Sequence, residues 1–93
     1  MATTTTNLEN EVLTTIQTMD NFNPDEPTEA FYGTLETSDF SEGMFKTKRS
    51  LGGVVASLVK KGLIIVDQTE VENIMAFTEA GETYINENGL VID

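Results

Sequence analysis

The sequence predicts a small α+β domain of three to four helices and one β-hairpin. Apolar residues recur at helical spacing over Leu8–Met19 and again over Leu51–Leu58. Two short β-prone runs, LIIV and IMAF, flank a polar segment of hairpin length. Ninety-three residues without a cysteine make one modest core with no disulfide or thiolate metal site to support it. The chain divides into a loose N-terminus over 1–7, a domain over 8–88 and an apolar tail over 89–93.

Each element has a local signal. Leu8, Val12, Ile16 and Met19 recur at steps of three and four, with Leu13 beside them. Thr6 and Glu9 fit the S/T-x-x-E capping box, so a first helix is expected from about Asn7 to Asp20. DNFNPDEPT then packs two prolines, three acids and two asparagines into nine residues and reads as a loop. Asn21, Asn23 and Asp25 alternate there as the first ligands of a calcium loop would. Glu26 stands where that loop needs glycine, and Tyr32 where it needs a bidentate glutamate, so a solvated loop is expected. EAFYGTL suits a small strand or turn. TSDFSEG suits a short helix capped by Thr37 or Ser38 and anchored by Phe40.

Leu51, Val54, Val55 and Leu58 lie at i, i+3, i+4 and i+7, one apolar stripe on a longer helix. That helix closes at Lys60-Lys61-Gly62, with Gly62 as the left-handed residue past its end. LIIV and IMAF pair around DQTEVEN as a hairpin. Thr78 caps a final helix to about Asn88, with Ala80, Tyr84 and Ile85 offered to the core.

Charge distribution is the main functional signal. Sixteen acids and five bases give −11, yet Lys46, Lys48, Arg49, Lys60 and Lys61 all fall between Glu42 and Asp67, where there is no acid. A chain of this sign is repelled by phosphates at long range. Within a Debye length, about 8–10 Å at physiological salt, local charge governs instead. Lys60 and Lys61 complement the C-terminal end of a helix dipole. Lys46, Lys48 and Arg49 stand at a helix start, where positive charge is mildly unfavourable, so stability does not require them. Either they meet an anionic partner, or they pair with Asp39 and Glu42 as weak surface bridges.

SLVKKGLI (Ser57–Ile64), followed after a hairpin-sized gap by FTEAG (Phe77–Gly81), resembles the winged-helix form of the helix-turn-helix. In many bacterial and phage regulators of that type, MarR-like ones included, a recognition helix ends in a similar L-x-x-K-G-L-I. The strand returning from the wing ends in a similar T-x-A-G. The resemblance implies a winged helix-turn-helix whose longer helix enters the major groove of DNA. It places Lys46, Thr47, Lys48, Arg49 and Ser50 at base edges and phosphates, with Gly52, Gly53 and Ser57 further along the exposed face. It also implies a transcription regulator, and useful affinity then asks for a homodimer, here through the first helix and the tail.

Two features complicate that expectation. Gly52 and Gly53 each cost a helix about 0.5–1 kcal/mol, which calls for close packing on a neighbour or close approach to DNA. The wing segment offers Asp67, Glu70 and Glu72 and no base, where a minor-groove wing offers Arg or Lys. The opposing reading is an acidic protein-interaction module that imitates nucleic acid and binds a basic protein surface. No enzyme and no cofactor are expected: histidine and cysteine are absent, and the acids form no metal or paired-carboxylate motif. The N-terminus lacks the basic and apolar regions of a secretory signal, so a cytoplasmic protein without membrane partners is expected.

Overall fold

A computed structural model describes residues 4–68 and 73–92. The described residues form helices α1 (Asn7–Ile16), α2 (Lys48–Lys60) and α3 (Glu79–Glu87) and strands β1 (Phe31–Tyr32), β2 (Ile64–Gln68) and β3 (Asn73–Phe77). The α+β expectation is met by three helices and an antiparallel sheet of order β1-β3-β2.

Helix α1 begins as the capping box requires. The Thr6 hydroxyl accepts from the Glu9 N–H and the Glu9 carboxylate accepts from the Thr6 N–H. The helix ends at Ile16, short of the expected Asp20. Thr18 and Met19 there close tight turns onto Thr15 and Ile16, and the Thr14 and Thr18 hydroxyls bond carbonyls three residues back. The apolar face also differs from expectation. Leu8 is 40% exposed, and Glu9 takes its place in line with buried Val12, Leu13 and Ile16.

The loop after α1 holds itself with its own polar groups. Asn21 donates to the Tyr32 carbonyl, and Asn23 accepts from the Asp25 N–H. Phe22 stands edge-on to Phe31 and Phe77 at 5.7 and 5.8 Å, seating the loop on the core. The expected short helix is a single 3-10 turn at Thr37–Asp39. Neither Thr37 nor Ser38 caps it; the Asp39 carboxylate accepts from the Glu36 N–H instead. Phe40 is buried as expected, edge-on to Phe45.

Helix α2 buries Leu51 and Leu58 and half-buries Val54 and Val55. Gly62 takes φ +78°, and the Leu63 N–H bonds the Leu58 carbonyl, the left-handed closure expected there. Strands β2 and β3 then pair from Ile64↔Phe77 to Gln68↔Asn73, while Phe31↔Met75 joins β1. Thr78 caps α3 through the Gly81 N–H. Ala80 is exposed rather than in the core, because Gly81 occupies the buried position against the Leu63 carbonyl. Gln17 pins the tail, donating to the Leu90 carbonyl and accepting from the Ile92 N–H.

Candidate nucleic-acid interface

The start of α2 is built by its cap. The Thr47 hydroxyl accepts from the Ser50 N–H at 3.1 Å and bonds the Ser50 hydroxyl at 3.0 Å. Both residues proposed for DNA contact therefore also hold the first turn together. Lys46, Lys48 and Arg49 stand exposed around this turn. Among the described residues none of the three forms an ion pair, with Asp39 and Glu42 or with any other acid. Three unneutralised cations thus share a helix start with the positive end of its dipole.

Beyond the first turn the exposed surface of α2 carries Gly52, Gly53, Ala56, Val59 and Lys60, of which Gly52, Ala56 and Val59 turn to its sheet-side flank. Among the described residues a Cβ on Gly52 or Gly53 would meet nothing within 4 Å, so packing against them does not explain the two glycines. Gly52→Ala and Gly53→Ala are each expected to stabilise the domain by about 0.5–1 kcal/mol, read from urea midpoints. Midpoints that fall would place a neighbour against this face.

Ser57 does not belong to that face. It is half-buried and turned toward α1, where its hydroxyl donates to Glu9 Oε2 at 2.7 Å. Lys61 also differs from its expected role as a dipole partner. Its ammonium donates to Glu9 Oε1 at 2.6 Å and to the Thr4 carbonyl at 2.8 Å. This is the one ion pair among the described residues. Glu9 is 3% exposed. Burial pushes its carboxyl up, but bonds from Lys61, Ser57 and the Thr6 N–H, with the Lys61 charge, bring it down to about 2. Among the described residues the five cations therefore separate into a structural Lys61 and an exposed set, Lys46, Lys48, Arg49 and Lys60, without ion pairs.

The sequence reading missed Glu9, although a signal was present. Glu9, Val12, Leu13 and Ile16 stand at i, i+3, i+4 and i+7, so an acid occupies the apolar stripe. A carboxylate so placed needs a buried partner, and Lys61 is one of only five cations.

On the hairpin, Asp67 is exposed, while Glu70 and Glu72 lie outside the described residues. Among the described residues no group of three or more acids converges as a metal cage, and no helix is long and apolar enough to cross a membrane. Comparison with protein-family models, curated proteins and solved structures finds no match to this chain.

Proposed function

We propose that this chain is a winged-helix DNA-binding module, a transcription regulator of bacterial or phage type that sets α2 in the major groove. The observation that carries this reading is the exposed trio Lys46, Lys48 and Arg49 at the start of α2, without an ion pair among the described residues, in a chain of net −11. The element order and the β1-β3-β2 sheet suit a winged helix, with β2 and β3 as its wing. Thr47, Ser50 and Gly53 flank the cations, and Ser57 leaves the contact set. Three phosphate contacts give a log–log salt slope of about −3. Affinity at working salt then needs two copies, and exposed Leu8, Val91 and Ile92 on α1 and the tail are the surfaces for pairing.

The test is fluorescence anisotropy on a mixed duplex pool at about 50 mM and about 150 mM salt. Lys48→Glu with Arg49→Glu is expected to abolish binding. The two positions open α2, where acids complement the dipole, so this variant keeps or gains stability. Absence of binding by the parent chain at the lower salt would reject the reading. A second reading rests on exposed Asp67 and the lack of any cation on β2 and β3: an acidic module that binds a basic protein. Retention of a cationic protein by the double variant, without DNA binding by the parent, favours it.

A further inference from the structure

Among the described residues the sheet-side flank of α2 is left open. A groove of about 570 Å³ runs between α2, the segment after β1, and strands β2 and β3. Leu51 and Met75 are buried among its lining, and Leu35, Val55, Ala56, Val59 and Val66 are the half-buried or exposed apolar residues along it. Lys48 and Val59 both line it, eleven residue steps apart on one helix. At 1.5 Å per residue the groove follows α2 for about 16 Å. Its apolar lining is aliphatic, with no aromatic ring among the described residues.

Its lining carries one side chain of each charge, Lys48 at the start of α2 and Glu36 in the segment after β1. Among the described lining residues no other acidic or basic side chain occurs, and no ion pair joins these two. Lys48 opens α2, where the helix dipole adds to its positive charge, and exposed Lys46 and Arg49 stand within two positions of it in the chain, so the Lys48 end suits an anion. Glu36 opposes a second negative charge and limits the head group to one. We propose that the groove binds a free medium-chain aliphatic carboxylate, with its head on Lys48 and its chain along Val55, Val59 and Val66. An elongated aliphatic trough with a cationic end fits such an amphiphile better than a flat ring or a neutral chain. The free acid is favoured over an anionic bilayer, which a body of net −11 would meet at a repulsive distance. The site stands independently of the DNA reading. Where both hold, the ligand covers Lys48 and competes with DNA.

The experiment is a titration of the full chain with decanoate, below its micelle concentration and without DNA, followed by methyl NMR. Saturable shifts are expected at Val55, Val59, Val66 and Met75, and none at Leu8, Val91 or Ile92, which are exposed elsewhere. Lys48→Gln should weaken binding about tenfold, and Glu36→Gln should tighten it severalfold. Both residues are exposed, so both variants fold. Opposite signs from the two variants distinguish a charged site from general stickiness. Shifts of equal size at Leu8 and Val91, decanol binding as tightly as decanoate, or indifference to both variants would each overturn the proposal. So would a groove that responds only to an amphipathic peptide. A separate anisotropy assay reads DNA competition, so failure of the DNA reading leaves the titration result unaffected.

Discussion

Lys61→Met is expected to destabilise the domain by about 3 kcal/mol at neutral pH, more than Glu9→Gln does. The asymmetry comes from burial. Glu9 is 3% exposed while the Lys61 side chain keeps 30% of its surface. Removing the carboxylate lets Lys61 turn to water. Removing the ammonium strands a buried charge on two remaining donors, the Thr6 N–H and the Ser57 hydroxyl. The pH dependence gives an independent reading. The folded Glu9 carboxyl titrates at about 2, below its ordinary 4.5. Its stabilisation is therefore complete above pH 4.5 and is lost as pH falls toward 2. At 1.36 kcal/mol per pH unit the loss is about 3 kcal/mol. Urea unfolding of the parent, Lys61→Met and Glu9→Gln at pH 7 and pH 3 separates this from the other fifteen acids, which all three share. A Lys61→Met variant within 1 kcal/mol of the parent at pH 7 would show that the pair does not clamp α1 to the end of α2.

What could be seen in the sequence was local. The Thr6–Glu9 box, the left-handed Gly62 and the Thr78 cap depend on residues a few positions apart, and the pairing of LIIV with IMAF on residues at most thirteen apart. That Lys46, Lys48 and Arg49 stand at the start of α2 was legible for the same reason, since a helix start is marked by its own neighbours; whether they pair with Asp39 and Glu42 was not. Ser57 and Lys61 were not, because Glu9 lies 48 and 52 positions away and only the α1–α2 packing joins them. The early end of α1 reflects threonines whose hydroxyls compete for backbone carbonyls, an effect weaker than periodicity in a one-dimensional reading. The groove beside α2 has no sequence signal, because it is a gap between four segments and not a property of any one. Ala80 was misplaced by size: helix spacing offers both Ala80 and Gly81 to the core, and the more apolar side chain looks the better candidate.

Gly81→Ala is expected to cost about 3 kcal/mol and lower the melting temperature by about 10–20 °C, although alanine is the better helix former. A Cβ at Gly81 would overlap the Leu63 carbonyl, and the obstructing atoms are backbone. They cannot swing aside as a side chain would. The same carbonyl accepts from the Thr78 N–H at 3.1 Å, and the Thr78 hydroxyl donates to the Gly62 carbonyl, so cap and turn hold each other. Relief requires α3 to lift from the turn joining α2 to β2, which would loosen Ile85 and Phe77, each 1% exposed. Ala80→Gly, one position away and exposed, should cost only the propensity difference of about 1 kcal/mol. Thermal unfolding of the two variants beside Gly52→Ala checks the geometry through sign alone. Gly52 is helical with nothing within 4 Å, so the same substitution gains stability there and loses it at Gly81. If Gly81→Ala melted with the parent, α3 would not rest on Leu63, and the turn that closes α2 would lack the support described for it.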